Sequence, residues 1–302
     1  MALQPEDILK RLALLVLAAT SLAAQPRIDN VLVRMVPPGA TSLVGARMNE
    51  IRDTAFYREM VQQRKLPQVD EFARQTGFDP RRDVRELLFA NTATGGVLLA
   101  RGTFKVNEQT LGEAKRLRHG VYTVWAANNN GFCILDATLA VAGDVPSVFA
   151  ALDEWTKGLH NGAQPLLAHA KTIDPADSLW GVSTGFAGFL ANNIPHANAG
   201  IDFSKIFRGL QDTWFQATFA NGFKALVHGA TATEQDAINL RDTAKGLIGL
   251  GRLNVPENQP EMLRLWDGFE VFQQGRMVEI RVDIPQNLVD RLIQMLTGRG
   301  RG

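Results

Sequence analysis

One order of short phrases occurs twice along the chain, and this constrains its fold more than any single motif does. Ser42-Leu-Val-Gly45 is echoed by Ser178-Leu-Trp-Gly181, and Gly77-Phe-Asp79 by Gly200-Ile-Asp202. Arg85 and Leu87 follow the first of these phrases as Arg208 and Leu210 follow the second. The apolar run Gly95 to Gly102 is matched by Gly222 to Gly229, and Asp144-Val-Pro146 by Asp283-Ile-Pro285. A recurring order of this kind marks a repeated supersecondary unit. The periodicities predict β-α-β-β-α-β-β-α in each half, an α+β fold of mainly antiparallel sheet with helices packed on one face. The expected organisation is a leader over 1–24, a first repeat over 25–158, a linker over 159–175, a second repeat over 176–297 and a flexible tail over 298–302. Two repeats of this kind either stand side by side or merge their sheets.

Within the first half, Thr41 to Met48 reads as a strand and Ile51 to Arg64 as helical. Leu87-Leu-Phe-Ala90 and Val97 to Phe104 read as paired strands, Glu108 to Leu117 as a helix, and Tyr122 to Ala126 as a strand. Phe132 to Leu135 and Thr138 to Ala142 follow before a helix opened by Pro146, in the first-turn position proline favours. In the second half a helix is expected over Glu234 to Leu247, ended by Gly246-Leu-Ile-Gly249-Leu-Gly251, and a last one over Gln286 to Leu296.

Positive charge at Lys10-Arg11, the apolar run Leu12 to Ala19 and the small residues of Thr20 to Gln25 make the three parts of a secretory signal peptide. The run is shorter than the ~20 residues a bilayer span needs. Cleavage is expected after Ala23 or Ala24, which places the mature chain in the periplasm or outside the cell; membrane association is expected only with the leader uncleaved. Glu6 and Asp7 fit a leader poorly.

With 32 basic and 31 acidic residues the charge nearly cancels, so no long-range field selects nucleic acid. The single cysteine, Cys133, excludes an internal disulfide and Cys-x-x-Cys metal sites, and its apolar setting predicts a buried, inert thiol.

The phrase Leu139-Ala-Val-Ala-Gly-Asp-Val-Pro-Ser-Val-Phe-Ala-Ala-Leu-Asp153 resembles one in exported bacterial proteins that carry a domain of unknown function. The resemblance implies export and an α/β repeat, and implies no reaction, substrate or cofactor.

For catalysis the candidate is Gly181-Val-Ser183-Thr-Gly185, a G-x-S-x-G match between an apolar strand and the helical run Phe186 to Ile194. Its acid and base would be Asp202 or Asp212 and His228. Against it, the equivalent stretch Gly45-Ala-Arg47-Met-Asn49 has no serine, and capping of the next helix accounts for Ser183 equally. His119, His160, His169, His196 and His228 show no metal-binding spacing and read as loop or strand positions, so no metal and no cofactor is expected. The aromatic run Phe203, Phe207, Trp214, Phe215, Phe219 and Phe223 reads as core, or as an apolar groove formed by Phe203, Phe207, Trp214 and Phe219. The function expected from these residues is noncatalytic: an exported binding or scaffold protein whose partner is a hydrophobic small molecule or a protein. A serine hydrolase is the alternative.

Overall fold

Strands in this chain carry apolar side chains on both faces, and the architecture follows from that. The computed structural model describes residues 28–62, 70, 73–74, 78–105, 114–158, 164–170, 173–174, 177–184, 209–256 and 261–297. The first seven strands are β1 (Ala40–Arg47), β2 (Val84–Thr92), β3 (Gly96–Gly102), β4 (Lys115–His119), β5 (Tyr122–Ala127), β6 (Asn130–Asp136) and β7 (Leu139–Asp144). The remaining five are β8 (Leu179–Thr184), β9 (Leu210–Thr218), β10 (Phe223–Thr231), β11 (Phe269–Gln274) and β12 (Met277–Ile284). They form one 12-stranded sheet in the order β11-β12-β10-β9-β8-β1-β2-β3-β7-β6-β5-β4, antiparallel at every pairing. The sheets of the two halves therefore merge, through β1 against β8.

At this seam two glycines let aromatic rings lie flat on the backbone of the adjacent strand. A Cβ on Gly45 would stand 2.2 Å from the ring of Trp180, and one on Gly181 would stand 2.3 Å from that of Phe215. Residues directly opposed across strands share a face, and Gly45 opposes Trp180 while Gly181 opposes Phe215. Because neighbours along a strand alternate, the two rings cover opposite faces of the sheet.

The helices divide between those faces. On the front, α1 (Asn30–Val33), α5 (Val145–Lys157) and α6 (Gln164–Ala170) pack on β1, β3, β6, β7 and β8. The largest core lies here, with Leu43, Leu88, Leu99, Val141, Leu152, Leu166 and Trp180 all buried. On the back, α2 (Met48–Arg52), α3 (Ala55–Tyr57) and the π-helical turn Arg58–Gln62 lie over the middle of the sheet, and α4 (Pro80–Asp83) leads into β2. The back of β10, β11 and β12 takes α7 (Glu234–Leu253), α8 (Glu261–Asp267) and α9 (Gln286–Thr297), with Val278, Val282, Leu288 and Ile293 in their cores. Helices on one face only were expected. Both faces are covered because continuous apolar runs such as Leu87-Leu-Phe-Ala90 leave neither side of a strand suited to water.

Outward from the seam the strands run β1-β2-β3-β7-β6 on one side and β8-β9-β10-β12-β11 on the other, with the hairpin β4-β5 added to the first side. In the expected linker, α6 buries Leu166 and Ala170 in the main core, so part of that segment is structural.

Two local expectations are corrected. The helix expected over Glu108 to Leu117 is not helical at its end, since Lys115–His119 is strand β4; Glu108 to Glu113 lies outside the described residues. Gly120, at φ +59, and Val121 make a two-residue hairpin turn that sets His119 opposite Tyr122. The glycines at 246, 249 and 251 do not end α7, which continues to Leu253. Each costs about 1 kcal/mol relative to alanine but stays right-handed, and Gly251 admits the ring of Trp266 against the helix. By contrast α5 follows its sequence closely, with Asp144 accepting from the Ser147 N–H at 2.9 Å, Pro146 in the first turn and Gly158 closing the helix at φ +67.

Candidate functional site

Ser183 lies inside β8 and not at a strand-to-helix turn. It is bonded on both sides, opposite Ser42 in β1 and Thr213 in β9, and only 6% of it is exposed. Its hydroxyl donates to the carbonyl of Thr41 or of Thr184, each 3.3 Å away. Asp212 and His228 share the front face, since Trp214 opposes His228 and lies two residues from Asp212. Ser183 opposes Thr213 and so points to the back. The sheet itself separates the hydroxyl from the imidazole, and the three residues do not converge. Asp202 lies outside the described residues, as does everything from Gly185 to Arg208. Ser183 in the folded chain is accordingly expected to resist a fluorophosphonate probe; stoichiometric labelling lost in Ser183→Ala would contradict this placement.

The expected aromatic groove does not form from the described members of its set. Phe203 and Phe207 lie outside the described residues. Trp214 is on the front face, where its ring stacks on His169 of α6 at 4.4 Å and on His228 at 4.8 Å. Phe219 stacks on Phe56 at 5.2 Å and meets Phe223 at the same distance, next to the core under α9. Of the histidines read as loop or strand positions, His169 lies in helix α6 and is half-buried in this stack, and His119 at the end of β4 meets Asp153 at 2.7 Å and stacks on Phe149. His160 and His196 lie outside the described residues. Burial pushes His228 below the usual imidazole range; Glu279, 3.7 Å away, opposes that and Arg281 adds to it. Cys133 is buried and its thiol is pushed up to about 11 by burial. Among the described residues no group of three or more His, Cys, Asp or Glu is placed to hold a metal ion.

Besides a concavity of about 300 Å³ between β9, β10 and α7, two others lie among the described residues. One lies where the halves meet, between α2–α3 and the β9–β10 turn with α9. It holds about 550 Å³ and is lined by Glu50, Asp53, Arg58, Phe219, Asn221 and Asp290 among others. The second is on the back face over β2, β3, β7 and β6, and it holds about 190 Å³. Its floor is Leu87, Leu98, Ala100, Ala140, Ala142, Phe132 and Ile134, and its walls include Phe78, Val84 and Phe104. Every side chain lining it is apolar. Leu98 is 36% exposed, so the floor opens to solvent. Sequence reading missed this site. Its signal was the unbroken apolar runs of β2 and β3, whose second apolar face had to be covered or left as a pocket.

The arrangement is an α+β sheet protein with a shallow apolar pocket on its back face. No family model and no curated protein matches the chain. Among solved structures it is similar to TP0453: crystal form I has a TM-score of 0.47 at 9% identity, over 87% of this chain and 96% of that one. Crystal form IV has a TM-score of 0.48 at 8% identity, over 86% and 96%. A likeness of that degree assigns neither ancestry nor function. No described helix is long and apolar enough to cross a membrane.

Proposed function

We propose that this chain is an exported, noncatalytic binding protein whose back-face pocket takes a hydrophobic small molecule. The observation that carries this reading is the pocket over β2, β3, β7 and β6, lined by apolar side chains alone and open at Leu98. Apolar surface left in a concavity gains from any ligand that removes it from water, by roughly 25 cal/mol per Å². A volume of about 190 Å³ is small beside the ~300–1,000 Å³ of drug-sized sites, so it suits one slender apolar segment. Export rests on the leader-like residues Lys10 to Ala24. The shared outward strand order supports reading the halves as related in arrangement.

The test is binding of the neutral probe N-phenyl-1-naphthylamine, followed by its fluorescence. The wild type is expected to bind it, and Leu98→Arg, which sets a guanidinium over the pocket floor, to weaken binding about tenfold. Leu98 is exposed enough that the melting temperature should shift by only a few degrees. A wild type that leaves the probe dark would sink the reading. Mass measurement of chain secreted with its own leader tests export, with loss of 23 or 24 residues expected.

A further inference from the structure

The sheet ends on two strands of opposite character. At one edge, β4 carries Lys115, Arg116 and Arg118. Charged side chains keep an edge from pairing with another strand, and two copies of β4 would set like charges side by side. At the other edge, β11 reads Phe-Glu-Val-Phe-Gln-Gln, with no lysine, arginine or proline. Phe272 is 44% exposed there, and Leu250 and Leu253 at the end of α7 and Leu263 of α8 are exposed as well. The helix α7 starts beside β9 and β10, where Leu240 approaches Gly229, and later packs Ile248 on the cluster that holds Val271. Its last turn therefore lies on the β11 side of the sheet.

Register says which backbone groups of β11 are open. Gly275, at φ +54, and Arg276 make a two-residue turn, so Gln274 and Met277 exchange both hydrogen bonds. Alternation then turns Phe272 and Glu270 toward β12 and leaves the N–H and C=O of Phe269, Val271 and Gln273 on the outer side. No described strand pairs with that side. Glu279 opposes both His228 and Phe272, so Phe272, Glu270 and Arg281 share the front face. The Glu270 carboxylate has no partner among the described residues. Arg281 donates from Nε to Glu279 and lies 4.7 Å over the Phe272 ring, and its terminal nitrogens have no hydrogen-bond partner among the described residues.

We infer that β11 is an interface between two copies of this chain, joined edge to edge as antiparallel strands about a two-fold axis through Val271. Identical strands paired antiparallel are related by a two-fold, so the contact closes at a dimer. This register uses every open residue, pairing Val271 with Val271 of the second copy and Phe269 with its Gln273, whereas a shift along the ladder in either direction loses a pair. It also sets Glu270 opposite the second copy's Phe272, one strand spacing of about 4.8 Å away. The carboxylate thereby reaches the guanidinium above that ring, a charge-assisted contact that the two-fold makes twice. A second copy is the occupant this edge selects, because its charge pattern complements itself.

The experiment is sedimentation equilibrium of the full chain over a wide range of concentration. The wild type is expected to show a monomer–dimer equilibrium and no larger species. Gln273→Pro removes an outward N–H and spares the hydrogen bonds to β12, so it should remain monomeric. Glu270→Lys sets like charges across the axis and should weaken the dimer about tenfold, with urea unfolding little changed because this side chain is exposed. Should the proline unfold the hairpin, seen as lost β-sheet circular dichroism, Glu270→Lys decides alone. A wild type that stays monomeric throughout overturns the inference, as does a dimer that survives a folded Gln273→Pro or keeps its affinity in Glu270→Lys. Growth beyond the dimer that Arg118→Glu abolishes would pair β11 with the β4 edge of the next copy and overturn it equally.

Discussion

Trp180→Ala is expected to lower the unfolding free energy by about 4 kcal/mol, read from urea denaturation at constant m-value. Trp180 is 3% exposed in the main core and lies flat on Gly45 across the β1–β8 seam. Truncation removes a large apolar surface and leaves a cavity that glycine has no side chain to fill. Against a total of ~5–15 kcal/mol for a domain, the loss is severe, and it strikes the one pairing that joins the two sides of the sheet. Gly45→Ala approaches the same contact from the other side. Its methyl group would meet the ring at 2.2 Å, so the ring must move, at a cost of about 2 kcal/mol. A loss below about 1 kcal/mol in Trp180→Ala would mean that the ring does not bridge the seam.

Glu86→Gln is expected to stabilise the chain at pH 8 by about 2 kcal/mol and to be nearly neutral at pH 4. Burial pushes the Glu86 carboxyl from its ordinary 4.5 to about 7, against the Asp29 N–H it accepts at 3.3 Å and the nearby charges of Arg47 and Arg101. Asp29, held by Arg101 at 3.0 Å, adds to the rise. The folded state therefore holds this proton more tightly than the unfolded state does. Its contribution is full below pH 4.5, and it is lost as pH rises through about 7. Glutamine keeps an acceptor for Asp29 without an ionisation, so the variant should lose this part of the pH dependence. His228 acts with the opposite sign. Its pKa is depressed by burial, so its contribution is present above the usual imidazole value and fades as pH falls. Stability curves for wild type and Glu86→Gln that run parallel from pH 4 to 8 would refute the assignment.

How much of this was legible depends on what each residue reports. Strand and helix identities were legible where local rules act alone. Asp144, Pro146 and Gly158 bracket α5 because capping, a fixed φ and a left-handed terminus need only near neighbours. The hairpin of β2 and β3 was legible in its apolar runs. Lys115 to Leu117 was misread because the partner β5, and not local composition, makes Lys115–His119 a strand. The glycines of α7 were misread because glycine permits a helix end without requiring one. Ser183 matched an active-site phrase in sequence, yet that phrase describes a turn, and hydrogen-bonded strands on both sides remove the turn.

The amino-acid sequence by itself determined an antiparallel α+β protein, its main helices and hairpins, its inert cysteine and its balanced charge. These follow from periodicity, capping and composition, which act within a few residues. Tertiary structure alone decided that the sheet is continuous, that helices cover both faces, and that Ser183 and His228 are parted by it. It also decided that Leu98, Phe132, Trp125 and Arg116, distant in the chain, lie in one row. Register causes this: a shift of one residue sends every side chain of a strand to the other face, and only pairing between distant segments sets it.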